Sequence, residues 1–388
     1  MSKYNFNKII NRKNSGSLKY DFAVERGMPK DVLPLWVADM DFKTADPILK
    51  TLKNAVEHGI FGYNEVKRPY FSAIQNWYKR YFNFELKEEW LLKTPGVVFA
   101  LAMAVKAFSN KNDGVLIQEP VYYPFREVIE VNERKVINNK LILKNGKYEI
   151  DFENFENLIV ENNIKLFLLC NPHNPVGRAW TKEELIKMGE ICLKHNVMIV
   201  SDEIHCDFVF NSDHKLFISL KPEFEKISMI CTAPSKTFNL AGLQISNIFI
   251  PDKINRNKFK NEINKSGYSQ LNSLGLVACQ AAYEHGEEWL SELKKYLVDN
   301  LNFVRTYLKE NLPKIHLIEP EATYLVWLDF RELGSPDEVN NKIVNDAKLW
   351  LDRGEMFGES GAGFQRINIA CPRATLKEAL DRLKKVFS

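Results

Sequence analysis

The stretch KLFLLCNPHNPVGRAWTKEELIKMGEICLKHNVMIVSDEIH, residues 165–205, decides the fold class. Its two ends, 165–169 and 197–201, are nearly continuous apolar runs, as expected of strands buried on both faces. Between them a helical pattern covers 181–195. Thr181 with Glu184 makes a capping box there, and Leu185, Met188 and Cys192 fall on one face. Strand-like runs at 115–117, 227–232 and 247–250 continue the alternation on either side. This order predicts an α/β sheet with helices on both faces, in a large domain covering 47–285. The pattern changes after Gly286. Leu290, Leu293, Leu297, Leu301, Val304 and Leu308 step by three and four, which predicts one long helix. Strand candidates follow at 315–318, 324–330 and 366–370. A last helix is expected from Thr375, where Thr375 and Glu378 form another capping box. This predicts a smaller α+β domain, 286–388. Segment 1–46 is irregular and is expected to pack with that smaller domain.

With 388 residues, 45% hydrophobic and 27% charged, the chain has material for a sizeable core and two domains. Lys+Arg is 53 against Asp+Glu 50, a net charge of +3. So even a balance predicts no strong field for nucleic acid or an anionic membrane. The six cysteines, Cys170, Cys192, Cys206, Cys231, Cys279 and Cys371, form no CxxC pair, and several sit in apolar runs. That is the usage of buried free thiols in a reducing compartment. The opening MSKYNFNKIINRKNSGS lacks the apolar region of a secretory signal, and no run approaches the ~18 apolar residues of a membrane span. A cytoplasmic location is expected. No HExxH motif or EF-hand loop occurs, so no metal site is expected. A dinucleotide-binding GxGxxG is missing, and Gly358-Glu359-Ser360-Gly361-Ala362 falls one glycine short of GxSxG.

Four polar clusters each lie just beyond a strand-like run, where open α/β sheets bind ligands. In Asn171-Pro172-His173-Asn174-Pro175-Val176-Gly177, two prolines and a glycine fix a loop that presents the amide of Asn174. In Ser201-Asp202-Glu203-Ile204-His205, a carboxylate at a buried strand end needs a partner, and a protonated pyridine nitrogen would be one. In Thr232-Ala233-Pro234-Ser235-Lys236-Thr237, burial would lower the lysine pKa and make its amine a nucleophile, with Ser235 and Thr237 offering hydroxyls to a phosphate. In Thr94-Pro95-Gly96-Val97-Val98, a glycine opens a helix and offers free N–H groups to an anion. Taken singly, a strand-end lysine is more often an ordinary surface group, and one glycine before a helix is a weak signal.

Together, in this order and over essentially the whole chain, the four clusters resemble the fold-type I pyridoxal-phosphate (PLP) enzymes of aminotransferase class I/II. The resemblance implies the aspartate-aminotransferase-like PLP-dependent transferase fold, with pyridoxal 5'-phosphate held by Lys236 as a Schiff base. It implies that Asp202 pairs with the pyridine nitrogen and Asn174 with the phenolic oxygen. Gly96, Val97, Val98 and Ser235 would lie at the phosphate and Tyr122 would stack on the ring. Tyr63 would reach the phosphate of a partner subunit, which implies a homodimer with shared sites. Arg366 would clamp the substrate α-carboxylate beside Asn174, with Trp36 and Tyr324 lining the substrate.

Several departures narrow the branch. The usual phosphate arginine eight residues after the lysine is Gln244, and the serine often found three before it is Ala233. The phosphate grip therefore rests more on backbone N–H groups, Ser235 and Tyr63. The usual tyrosine three after the aspartate is His205; the resemblance implies a place at the cofactor, while a lone histidine is more commonly a core residue. These residues, with Leu33-Pro34-Leu35-Trp36-Val37-Ala38-Asp39-Met40-Asp41 and Ala370-Cys371-Pro372-Arg373, resemble the MalY/PatB branch. That branch implies cystathionine β-lyase or cysteine-S-conjugate β-lyase activity. An aminotransferase, which needs the same residues, is the alternative, and a regulatory protein on the same fold is another. At Ala322 relatives usually have glycine, and the added methyl is either a narrowing of the pocket or a neutral packing change.

Overall fold

The computed structural model describes residues 3–210 and 212–388. Its centre is set by the alternation of side chains along apolar strands. Leu166, Leu168 and Cys170 pack on one side with Val200, Met229 and Cys231. Phe167 and Leu169 pack on the other with Ile199 and Ile230. Both faces of these strands are therefore core, which explains why the runs read as continuous.

The strands are β1 (Leu91–Thr94), β2 (Gly114–Ile117), β3 (Lys135–Asn138), β4 (Leu166–Cys170), β5 (Met198–Asp202), β6 (Ser228–Thr232) and β7 (Ser246–Phe249). They form one seven-stranded sheet in the order β1-β7-β6-β5-β4-β2-β3. Six strands run in one direction and β7 alone runs opposite to them. Consequently Thr94, Cys170, Asp202 and Thr232 all end at one edge of the sheet. Helix Val97–Phe108 covers one face and helix Lys182–Lys194 the other. The latter starts on the Thr181–Glu184 capping box that the sequence predicts.

The expected long helix is Glu287–Asn311. A second sheet contains β8 (His316–Ile318), β9 (Leu325–Asp329), β10 (Asp352–Arg353) and β11 (Phe364–Asn368), in the order β8-β9-β11-β10. The last helix departs from expectation. It begins at Arg373, and its N-cap is Pro372 with no side-chain cap, so Thr375 lies inside the first turn and makes no capping box. Tertiary partners fix this start instead: the Arg373 N–H donates to Tyr296 Oη at 2.7 Å, and its Nε to Asn300 Oδ1 at 2.8 Å.

The N-terminal segment is irregular apart from Leu33–Pro34, which pairs in parallel with Leu349–Trp350. From there a strap, 35–42, crosses between the sheets. Leu35 and Asp41 bond to the backbone of Trp350 and Ala370, and Asn368 Nδ2 donates to the carbonyls of Val37 and Asp39 at 2.6 Å each. On the other side, Asn239 accepts from the Met40 N–H and donates to the Met40 and Phe42 carbonyls, each at 3.0 Å. All six cysteines are free and buried. Among the described residues no helix is long and apolar enough to cross a membrane, and no cluster of side chains is arranged to hold a metal ion.

Candidate active site

Lys236 sits in a one-turn helix, Pro234–Thr237, immediately after β6. The turn is tied down from behind, where Thr237 Oγ1 donates to buried Asp207 Oδ2 at 2.7 Å and Trp77 Nε1 donates to Asp207 Oδ1 at 3.0 Å. The Lys236 amine is half-buried and donates to the Ala38 carbonyl of the strap at 2.8 Å. Burial, then the nearby charge of Arg366, lowers its pKa to about 8. The amine is thus far closer to neutrality at physiological pH than a surface lysine.

Asp202 ends β5, with its backbone in register between Cys170 and Cys231. Its buried carboxylate accepts one hydrogen bond, from the Ile204 N–H at 3.1 Å, and has no salt bridge among the described residues. Burial raises its pKa to about 7. His205, three residues on, is buried edge-on to Tyr324 with ring centroids 5.9 Å apart, and its Nδ1 has no partner among the described residues. Burial holds the His205 pKa well below the usual imidazole range.

Arg366 enters from β11. Its Nη1 donates to Asn174 Oδ1 at 3.0 Å, and its Nη2 donates to the Trp36 carbonyl at 2.8 Å and to Asp352. The bond to Asn174 joins the loop after β4 to the smaller sheet. It also leaves the Asn174 Nδ2 donor without a partner among the described residues. Tyr324 donates to the same Ala38 carbonyl as Lys236, at 3.1 Å. Trp36 is buried against Trp350, with ring centroids 4.4 Å apart. Tyr122 lies against Tyr123 at 5.0 Å, and both tyrosines feel the charges of Arg366 and Asp352.

Gly96 is the N-cap of helix Val97–Phe108, and a Cβ built there would meet nothing within 4 Å. The space beside Gly96 is open, and the first N–H groups of the helix have no partner within the helix. Val97 is buried, Val98 is exposed, and Ser235 is half-buried. Tyr63 is not brought to the site by this chain: it is 93% exposed, between helices Asp46–His58 and Arg68–Phe82. Ala322 is buried under the loop after β4, its N–H donating to the Gly177 carbonyl at 3.0 Å.

These groups fit PLP. A nucleophilic amine, a buried carboxylate lacking a cation and a helix N-terminus lie along one sheet edge, matching the cofactor's aldehyde, ring nitrogen and phosphate. The family model of aminotransferase class I and II matches residues 30–383. The chain belongs to this family. Among class I/II relatives, cystathionine beta-lyase PatB of Bacillus subtilis is 42% identical over 99% of this chain and 100% of its own length. Cystalysin of Treponema denticola, whose crystal structure contains PLP, superposes with a TM-score of 0.95 at 37% identity, covering 99% of this chain and 98% of that one. The PLP-bound C-S lyase of Staphylococcus hominis has a TM-score of 0.92 at 34% identity, with the same coverage. The family is PLP-dependent, and so is this member of it.

Sequence reasoning missed two contributors. Asp352 lies in Leu351-Asp352-Arg353, where a neighbouring arginine suggests a solvated pair; the apolar residues before it were the available signal. The Ala38 carbonyl left no signal, because any residue carries one.

Proposed function

We propose that the protein is a carbon–sulfur β-lyase that cleaves L-cystathionine or related L-cysteine S-conjugates to a thiol, pyruvate and ammonia, working as a cytoplasmic homodimer. One observation carries the reading: the half-buried Lys236 amine lies on the Ala38 carbonyl, within the fields of Asp202 and Arg366. The names borne by its relatives support the choice of reaction.

Bound PLP supplies an electron sink for the substrate's Cα. Lys236 anchors it and, once freed by the substrate amine, takes the Cα proton on Nζ. Asp202 would keep a proton on the ring nitrogen, with His205 three residues further along the chain. The Asn174 Nδ2 would hold the phenolic oxygen, and Tyr122 would cover the ring. The backbone N–H groups of Gly96, Val97 and Val98, together with Ser235 and Tyr63 of the partner subunit, hold the phosphate. Arg366 receives the α-carboxylate with Asn174, while Trp36 and Tyr324 wall the substrate. With PLP bound, the net reaction would break the Cβ–S bond and consume one water, giving a thiol, pyruvate and ammonia; the proton that Lys236 Nζ takes from Cα is available for the departing sulfur.

The test is a substrate panel on the PLP-loaded enzyme. Pyruvate from L-cystathionine or an S-conjugate is expected, with little glutamate from L-alanine plus 2-oxoglutarate. The opposite ranking would make it an aminotransferase and end this reading.

A further inference from the structure

Asp352 and Arg366 face each other directly across β10 and β11, and each side chain is 2% exposed. The Asp352 carboxylate bonds to Arg366 and to no other side chain among the described residues. The guanidinium is held on further sides by Asn174 and the Trp36 carbonyl, and lies 4.9 Å from the centroid of the Phe357 ring. Its Nε is buried without a partner among the described residues. The arginine is therefore fixed by groups of its own chain while part of its donor set is left unused. A buried guanidinium with no anion would be strongly destabilising, and a long side chain would swing to find one.

We propose that Asp352 is a positioning residue for the substrate-binding step: it holds the Arg366 guanidinium desolvated and oriented, so that the substrate carboxylate meets a preformed donor set. This rests on the reading of Arg366 as the carboxylate anchor. Holding the donors beforehand removes the ordering cost from substrate binding. The charge of Asp352 acts the other way, because it repels an incoming carboxylate. The first effect is expected to prevail, since Asp352 meets Nη2 alone and leaves Nε and one N–H of Nη1 unbonded among the described residues.

The experiment uses PLP-loaded enzyme and two small amines, glycine and methylamine, followed by the absorption change of the bound cofactor. Only glycine carries a carboxylate. D352A is expected to weaken glycine about tenfold or more and to leave methylamine within about twofold, with D352N intermediate. In turnover, D352A should raise KM for L-cystathionine about tenfold, with kcat within about threefold. Unchanged glycine affinity in D352A, equal losses for both amines, or tighter glycine binding by D352N would each overturn the proposal. If D352A does not fold, D352N decides: weaker glycine with unchanged methylamine supports it, and unchanged or tighter glycine overturns it. R366K separates the two claims. If R366K spares glycine, the anchor reading fails; if R366K weakens glycine and D352A does not, only the role of Asp352 fails.

Discussion

Burial pushes Lys236 and Asp202 in opposite directions, the lysine down to about 8 and the aspartate up to about 7. Each is disfavoured in its charged form by burial, and each has a use for bound PLP. The consequence for Asp202 has a definite sign. With its pKa raised on folding, its charge costs nothing at low pH and progressively more as pH rises toward 7, reaching full cost above that. Asp202→Asn should therefore stabilise the PLP-free protein at pH 8, by an amount that shrinks as pH falls to 5. It should do the reverse in the PLP-loaded enzyme, where the ring nitrogen supplies the missing partner. Calorimetry of both forms at the two pH values checks this. For Lys236, replacement by alanine should cut pyruvate release by at least about 10²-fold, since both anchor and base are lost; an assay with L-cystathionine measures it. These residues were legible because each follows an apolar strand at the sheet's ligand-binding edge. Asp352 was not, because its burial depends on β11, a strand twelve residues downstream whose pairing the local sequence does not announce.

At the scale of elements, the strap 35–42 and the segment before it matter most. Lys19 is fully buried, with Nζ 2.9 Å from Asp41 Oδ2, and Arg12 binds both Asp39 and Asp41. Tyr20 Oη donates to Asp41 as well, at 3.0 Å. This charged knot pins the strap whose carbonyls hold Lys236, Tyr324 and Arg366. Lys19→Met should leave Asp41 short of a cation and cost about 3 kcal/mol of stability, read by urea unfolding. The apolar strands and the helix Lys182–Lys194 could be read from periodicity and capping, because their signals are local. The start of the last helix could not, because Tyr296 and Asn300, on a different helix, fix it. The strap escaped for the same reason: its bonds run to residues hundreds of positions away.

At the scale of the whole molecule, Tyr63 stands 93% exposed, with Ile60 and Phe61 exposed beside it. If Tyr63 serves the neighbouring subunit's phosphate, two inactive variants should rescue each other. Refolding Tyr63→Ala together with Lys236→Ala should restore about a quarter of wild-type activity, because half the dimers would carry one intact site. Sedimentation of the same mixture should show dimers throughout. A mixture no more active than the better parent would count against shared sites.

The strap also dictates an order of assembly. Trp36 bonds to Arg366, 330 positions later in the chain. A growing polypeptide emits the strap early, yet Arg366 on β11, which must receive it, emerges 330 residues later. The large sheet can form while synthesis continues, since all its strands lie before residue 250. The pocket cannot be finished until β11 has left the ribosome. A nascent protein stalled before residue 364 would then carry a formed sheet, with Lys236 in place on it, but no completed catalytic site.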